Sequence, residues 1–259
     1  MSGISWQITG LHRAKALPAS HNRVKPHEVL ATYSTMKLRA PRVIMFDLDG
    51  TLVDTMFAFA DLAAEVMRDY HGDQPARARA RYLETSGVPF AQQLEIIHPA
   101  HPRNVAASDE FETRKRAITV RARMDAGTRA ALTDLSDLGI KVVLSSNTGQ
   151  EFVDEFTAAE PFPFDLALGF DADAAMAKGR PHVQRTLATF EVANQEVWFV
   201  GDSLKDGELA AKNGLSFFGR IGTFSAADFE RRAPGTATIA VIGDLVELLA
   251  QPVVRSAVG

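Results

Sequence analysis

Short apolar runs alternate with amphipathic stretches along most of this chain. Runs without a polar residue occur at 43–46 and 197–200, and each predicts a strand that is buried on both faces. From residue 127 onward helical patterns separate further strand patterns, which we expect at 140–145, 165–170, 196–201, 215–219 and near 237–242. Strands that alternate with helices predict an α/β fold with a mainly parallel sheet and helices on both faces.

Residues 57–126 lack a comparable strand pattern. Their apolar spacing, interrupted by Gly and Pro residues, predicts four helices instead, at 57–70, 75–86, 90–97 and 104–124. We therefore expect a helical domain at 57–126, inserted into a core domain that is formed by residues 41–56 and 127–259.

Residues 1–40 differ from the rest of the chain in charge. They carry six Lys and Arg residues against one acidic residue, Glu28, with scattered Pro residues. Their apolar runs are too short for a signal peptide. We expect a basic N-terminal extension that is disordered and has no assigned function.

Composition excludes several classes of function. A net charge of −4 without interleaved aromatic and basic residues predicts no nucleic-acid partner, and no apolar run is long enough to span a membrane. The absence of Cys agrees with a cytoplasmic protein and, without His residues at metal-binding spacing, argues against zinc. We expect a soluble monomer or homodimer.

Polar residues follow three of the predicted strands directly. Asp47 and Asp49 follow the first, Ser146 and Asn147 end the second, and Asp202 follows another. The carboxyl ends of parallel strands meet at one edge of a sheet, where α/β proteins bind ligands. Asp47 and Asp49 lie two residues apart, so they can face one point, and such close charges are costly without a cation or proton between them. An acidic turn after a core strand is the alternative.

Four motifs in chain order resemble those of the haloacid dehalogenase superfamily, in its phosphatase branch. They are Asp47-Leu-Asp-Gly-Thr, the pair Ser146-Asn147, Lys178-Gly-Arg-Pro, and Gly201-Asp-Ser-Leu-Lys-Asp. The resemblance, which is to phosphoglycolate phosphatase-like members, implies a Rossmann-like core with an inserted helical cap over the site. It also implies Mg²⁺ as cofactor and, as partner, a small phosphorylated metabolite such as a phosphoglycolate-like acid or a sugar phosphate. Pyrophosphate and nucleotides stay open as substrates.

The resemblance and the chemistry of phosphate esters assign roles to the acidic residues. Asp47 is the expected nucleophile that forms an aspartyl-phosphate, and Asp49 the expected general acid and base. Asp47, the backbone carbonyl of Asp49, and Asp202 are the expected Mg²⁺ ligands. Asp206 is expected to support the metal or the phosphate-binding Lys, or only to favour the start of its helix.

Phosphate binding is expected from uncharged donors and one cation. Ser146 supplies a hydroxyl and an amide, with help from the backbone of Asn147 and Gly50. Lys178 is the favoured cation and Arg180 the alternative; both also fit a solvated loop before a helix that starts with Pro.

Two other functions stay open. A phosphomutase of the same superfamily is disfavoured, because Phe57 and Phe59 occupy the region where mutases usually carry Glu and His. A non-catalytic regulatory domain that kept the fold is the other alternative. Basic residues of the cap, including Arg79 and Arg114-Lys115-Arg116, would either meet a second anionic group on the substrate or form solvated helix faces, and balancing acidic residues favour the latter.

Overall fold

A six-stranded parallel sheet forms the centre of the molecule. The computed structural model describes residues 40–250, so the predicted basic extension lies outside the described residues apart from residue 40. The strands in chain order are β1 (Val43–Phe46), β2 (Lys141–Gly149), β3 (Leu166–Phe170), β4 (Val197–Gly201), β5 (Ser216–Arg220) and β6 (Ala237–Ile239).

The order of strands across the sheet is β3-β2-β1-β4-β5-β6. The chain therefore builds outward in both directions from β1, and the crevice between β1 and β4 is the place where such sheets bind ligands. Phe46 at the end of β1 is in register with Leu144 of β2 and with Val200 of β4. Residues that follow these strands consequently emerge side by side at one edge.

Ten α-helices surround or extend this sheet in residues 40–250. Four of them lie between β1 and β2: α1 (Met56–His71), α2 (Pro75–Glu84), α3 (Phe90–Ile97) and α4 (Asn104–Thr119). The others connect the strands or follow the last: α5 (Ala126–Asp137), α6 (Gln150–Ala159), α7 (Arg180–Phe190), α8 (Leu204–Lys212), α9 (Ala226–Arg232) and α10 (Gly243–Leu249). The predicted fold class, a Rossmann-like α/β sheet with an inserted helical cap, is confirmed.

Two details of the helices differ from expectation. Helix α9 was not predicted, although Ser225 and Asp228 form a reciprocal capping box at its start. Asp244 would suit an N-cap by residue type, but it lies inside α10 and instead accepts hydrogen bonds from the backbone N–H groups of Ala240 and Val241 at 2.7 and 3.1 Å. Its carboxylate thus stabilises the turn that precedes the helix.

The four helices between β1 and β2, residues 56–119 and here called the cap, have a hydrophobic core of their own. Buried apolar side chains on the two faces of the sheet form two further clusters. The cap core centres on Phe59, Tyr82, Phe90 and Phe111, whose neighbouring rings lie 4.1 to 6.5 Å apart between centroids. The exact domain boundaries at 57 and 126 stay predictions.

Among residues 40–250, no helix combines the length and the apolar character needed to cross a membrane.

A fully buried histidine, His182, joins α7 to the sheet. Its Nε2 lies 3.0 Å from the carbonyl oxygen of Gly169, which can only accept, so the imidazole donates there. Nδ1 then accepts from the Ser145 hydroxyl at 2.9 Å. Burial, together with the charge of Lys178, lowers the pKa of His182 to about 4. The fold therefore requires the neutral imidazole.

This histidine predicts acid sensitivity of the fold. Because the folded pKa of about 4 lies below the ordinary value of 6.5, the unfolded chain binds more protons between these two pH values. The free energy of unfolding should fall as pH drops from 6.5 to 4, by on the order of 3 kcal/mol from this group, since one pKa unit corresponds to about 1.4 kcal/mol. Urea unfolding of wild type and His182→Gln at several pH values measures it.

The variant His182→Gln should show a shallower pH dependence than wild type across this window. Ser145→Ala is the matched control, because it removes the hydroxyl partner and leaves the imidazole able to titrate. If the free energy of unfolding fell equally steeply with pH in wild type and in His182→Gln, the role of His182 would be contradicted.

Candidate active site

Asp47 lies immediately after β1 and is nearly buried, with 7% of its surface exposed. Its backbone N–H donates to the carbonyl of Val200 at 2.9 Å, which continues the pairing of β1 with β4 beyond the last strand residue. This pairing fixes the carboxylate at the edge of the sheet. Burial raises the pKa of Asp47 to about 7, while the neighbouring Lys178 opposes the shift.

Lys178 is the buried cation of the site. Its Nζ lies 2.8 Å from Asp47 Oδ1 and 2.6 Å from Asp206 Oδ1, and 4% of the side chain is exposed. Burial disfavours the ammonium charge, but the Asp206 and Asp47 carboxylates outweigh that effect and raise its pKa. Lys178 is therefore charged and bridges two segments of the chain.

Asp206 acts on the start of α8 and on Lys178 at once. Its Oδ2 accepts from the backbone N–H and the hydroxyl of Ser203 at 3.1 and 2.7 Å, while Oδ1 faces Lys178. Ser203 Oγ in return accepts from the Asp206 N–H at 3.2 Å, which completes a capping box. The two roles expected as alternatives for this residue are thus combined in one carboxylate.

Asp202 emerges from β4 beside Asp47 and is 2% exposed. Its Oδ2 accepts a hydrogen bond from the Thr223 hydroxyl. Burial raises the pKa of Asp202 well above its ordinary value, and the Asp47 and Asp206 charges raise it further. Oxygen atoms of Asp47, Asp202 and Asp206 lie within 4.8 Å of one another. These carboxylates repel each other, and Lys178 alone does not balance three negative charges.

The donor set at this point fits a hard divalent cation. Every candidate ligand is an oxygen atom, the three carboxylates are buried, and two of them follow neighbouring strands. Mg²⁺ prefers oxygen ligands from one or two carboxylates and keeps several waters, and zinc prefers nitrogen or sulfur ligands.

Asp49 is held by two hydroxyl groups. The Thr55 hydroxyl donates to Asp49 Oδ1 at 2.6 Å, and the Thr148 hydroxyl donates to Oδ2 at 3.0 Å. Thr55 directly precedes the cap and Thr148 lies in β2, so residues from both segments orient the Asp49 carboxylate. Asp49 lies outside the group of three carboxylates and lines the same cavity as Asp47.

Ser146 and Asn147 line the cavity from β2, while Ser145 faces the opposite side of the strand and bonds to His182. Ser146 Oγ accepts from the Thr148 N–H at 3.0 Å, which leaves its own hydroxyl hydrogen available to a ligand. Asn147 Nδ2 donates to the carbonyl of Gly87 in the cap at 3.4 Å. Asn147 thus connects the sheet edge with the cap.

Arg180, the alternative cation, lies on the surface as the first residue of α7 and does not line the cavity. Of the two candidate cations, Lys178 is the one that contacts Asp47.

Gly50 does not match its expected role as a backbone hydrogen-bond donor to phosphate. Its N–H donates to the carbonyl of Val53 at 2.8 Å and is therefore engaged within the turn. Its φ of 82° lies in the left-handed region, and a Cβ there would overlap the Asp202 carboxylate. Glycine is needed at position 50 for the left-handed turn and the close approach to Asp202, and its N–H is already paired with Val53.

A cavity of about 70 Å³ lies between the sheet edge and the cap. Its core wall consists of Asp47, Asp49, Ser146, Asn147, Lys178 and Asp202. Its cap wall includes Phe59, Tyr82, Val88, Gln93 and Lys115. The volume is far below the about 300 Å³ at which pockets for drug-sized ligands begin. With the cap in this position, the site fits a compact ligand.

Comparison with known proteins agrees with this geometry. A family model described as haloacid dehalogenase-like hydrolase matches residues 44–219, which is more than half of the chain. The chain belongs to this family. The matched segment includes every acidic residue of the site and the whole cap. The prediction that this chain is a hydrolase of this family is confirmed.

Several individual proteins are similar to this haloacid dehalogenase-like hydrolase. A phosphoglycolate phosphatase from Photorhabdus laumondii is 26% identical over 179 residues, covering 65% of this chain and 75% of that protein. Another from Pseudomonas savastanoi is 28% identical over 205 residues, covering 69% and 68%. A haloacid dehalogenase-like hydrolase from Streptococcus pneumoniae has the same fold, with a TM-score of 0.68 at 16% identity over 81% of this chain and 98% of that chain.

Sequence reasoning missed the hydroxyl groups that orient the acidic residues. It also did not single out the cap residues at the cavity, since Lys115 was considered only together with the other basic residues of the cap. Thr55, Thr148 and Thr223 belong to no motif, and Thr223 is 21 residues from the Asp202 it contacts. No spacing signal identifies such partners, because the fold brings them together. Thr148 was accessible to reasoning, since it lies two residues after Ser146 and so faces the same side of β2.

Proposed function

We propose that this hydrolase is a Mg²⁺-dependent phosphatase that cleaves a small phosphomonoester through an aspartyl-phosphate on Asp47. A phosphoglycolate-like acid or a sugar phosphate is the proposed substrate class. One observation carries the proposal: the Asp47 carboxylate lies 2.8 Å from the buried Lys178 ammonium, in a small cavity that also contains Asp49 and Asp202. The named activity of the two curated relatives supports it.

The residues of this chain divide the chemistry between two carboxylates. A carboxylate oxygen of Asp47 attacks phosphorus, the bond from phosphorus to the ester oxygen breaks, and Asp49 delivers a proton to that departing oxygen. Water then attacks phosphorus in the aspartyl-phosphate as Asp49 takes up its proton, which releases phosphate and restores Asp47. The hydroxyls of Thr55 and Thr148 hold Asp49 toward the cavity for both steps.

Phosphate recognition is assigned to Lys178, Ser146 and Asn147. Lys178 offsets the negative charge of the phosphoryl oxygens, and the free hydroxyl hydrogen of Ser146 can be donated to one of them. Asp206 positions the Lys178 ammonium at 2.6 Å and fixes it against the start of α8.

Mg²⁺ would be held by the Asp47 and Asp202 carboxylates and the backbone carbonyl of Asp49, with Asp206 in support. When bound, it neutralises negative charge on the reacting phosphoryl group and on Asp47. The arrangement of buried carboxylates within 4.8 Å of one another supports this assignment. A cytoplasmic location and a monomeric or homodimeric state stay predictions.

A phosphate-release screen tests the proposed function. We expect turnover of several small phosphomonoesters with Mg²⁺, and a loss of at least about 100-fold when EDTA removes the metal, because a metal ion supplies several kcal/mol of charge stabilisation. Equal rates with and without Mg²⁺ would contradict the metal assignment. Transfer of the phosphoryl group to a sugar hydroxyl, with no free phosphate released, would favour the phosphomutase.

A further inference from the structure

Lys115 of α4 is the basic residue that the cap places at the cavity. Its side chain is 17% exposed, and its Nζ lies 5.0 Å from the centre of the Phe59 ring. The nearest acidic group is Glu112 at 3.9 Å, too far for a hydrogen bond, and the Glu112 side chain is 53% exposed. Within the described part of the chain, the side-chain ammonium of Lys115 has no hydrogen-bond acceptor.

Neighbouring basic residues of the cap behave differently. Arg79 donates to Asp61 at 2.6 Å, and Arg114 donates to Glu65. Both arginine side chains are more than a third exposed, and neither residue lines the cavity. Their charges are already matched at the surface, as the sequence predicted for most basic residues of the cap. Lys115 is the exception, because its charge is largely buried and only loosely paired.

Two polar side chains of the cap line the same cavity as Lys115. Tyr82 is 5% exposed, and its hydroxyl makes no hydrogen bond among residues 40–250. Burial raises the pKa of Tyr82 well above its ordinary value, and the Asp49 charge raises it further, so the hydroxyl stays protonated. Gln93 is 3% exposed and fixed by Thr85 and the Val88 carbonyl, at 2.8 and 3.0 Å. A buried phenol usually has a hydrogen-bond partner, and a ligand can supply it here.

We propose that Lys115 and the Tyr82 hydroxyl, supported by Gln93, form a subsite for a carboxylate of the substrate. This inference rests on the proposed function and names its substrate class: a phosphorylated hydroxy acid whose carboxylate lies one or two carbons from the phosphate ester. The phosphoryl group meets Lys178 and Asp47 on the core wall, and the carboxylate meets Lys115 on the cap wall.

The size and charge of the cavity favour a carboxylate over a larger anion. Because the cavity between the two walls is only about 70 Å³, an anionic group that contacts the cap wall must lie close to the phosphoryl group on the core wall. Arg matches phosphate by bidentate hydrogen bonds, and Lys acts as a point charge. The described cap residues place a Lys and a phenol at the cavity, and no Arg.

The test compares two esters of nearly equal size, phosphoglycolate and 2-hydroxyethyl phosphate, which differ in the carboxylate. We expect wild type to have a higher kcat/KM for the acid. Lys115→Met should lower the ratio of kcat/KM for the acid to that for the neutral ester by about 100-fold, the usual effect of losing a hydrogen bond between charged groups. Arg114→Met, one residue away and outside the cavity, should keep the wild-type ratio within threefold. Thermal unfolding of each variant checks the fold.

Two further variants separate charge recognition from packing. Lys115→Arg keeps the charge and should retain most of the preference for the acid. Lys115→Glu should reverse the selectivity, so that phosphoethanolamine becomes a better substrate than phosphoglycolate. An unchanged ratio in Lys115→Met, or wild-type turnover of both esters at equal kcat/KM, overturns the subsite while the phosphatase function stands. Hydrolysis of other phosphomonoesters of the screen without hydrolysis of phosphoglycolate also overturns the subsite. No phosphate release from any phosphomonoester with Mg²⁺ overturns both the subsite and the phosphatase function.

Discussion

Lys178→Met is expected to reduce both the stability and the activity of this hydrolase. The substitution removes the buried ammonium that lies 2.8 Å from Asp47 and 2.6 Å from Asp206, and it leaves both carboxylates buried without their partner. Breaking a buried ion pair on one side typically costs about 3–5 kcal/mol. Loss of a cation that faces the phosphoryl group should also lower kcat/KM by at least about 100-fold.

Urea unfolding in EDTA and in Mg²⁺ measures the first effect, and phosphate release measures the second. Part of the lost stability should return in Mg²⁺, since a bound cation compensates the same carboxylates. Arg180→Met is the matched control, because this residue lies on the surface two positions away; it should change the free energy of unfolding by no more than about 0.5 kcal/mol. A larger loss of activity in Arg180→Met than in Lys178→Met would reverse the assignment of the cation.

Charge balance explains why the loss of Lys178 is expected to lower both the stability and the activity. Asp47, Asp202 and Asp206 place three acidic groups within a few ångströms, and burial already raises the pKa values of Asp47 and Asp202. Lys178 offsets part of this repulsion and holds α8 to the end of β1. The remaining negative charge is what would attract a divalent cation, which would in turn offset the negative charge of a bound phosphoryl group.

The fold was accessible from sequence because its signals are local and repeated. The apolar runs at 43–46 and 197–200 predicted two central strands, and the change to helical spacing after β1 predicted the cap. Helix α9 was missed because it has only seven residues, and short elements carry little periodicity. The order of the strands follows from long-range pairing, which a single sequence does not encode as a local pattern.

The candidate site was only partly predictable, and the reason differs between the two walls. On the core wall, fixed spacing within motifs identifies Asp47, Asp49 and Asp202, since each follows a strand end. On the cap wall, Lys115 lies on a helix whose basic and acidic residues balance, so composition favours a solvated role. Only the packing of Phe59 and Tyr82 distinguishes Lys115 from its neighbours Arg114 and Arg116.

Asp47→Asn is expected to abolish turnover, with a decrease of at least about 1,000-fold, because the amide is a poor nucleophile and cannot form the covalent intermediate. The fold should survive. The amide is similar in size to the carboxylate, and it removes one of the repelling charges beside Asp202 and Asp206. Phosphate release from p-nitrophenyl phosphate measures the loss, and urea unfolding in EDTA checks that the variant is at least as stable as wild type. Activity within tenfold of wild type would contradict the role of Asp47.

Covalent labelling of Asp47 tests the central claim most directly. Wild type is mixed with a turnover substrate and Mg²⁺, quenched in acid within milliseconds, and reduced with borohydride, which converts an aspartyl-phosphate to homoserine. Peptide mass spectrometry should then find homoserine at position 47, only with both substrate and Mg²⁺ present, and never in Asp47→Asn. Unmodified Asp47 in an enzyme that is turning over substrate, or the modification at another carboxylate, would contradict the account.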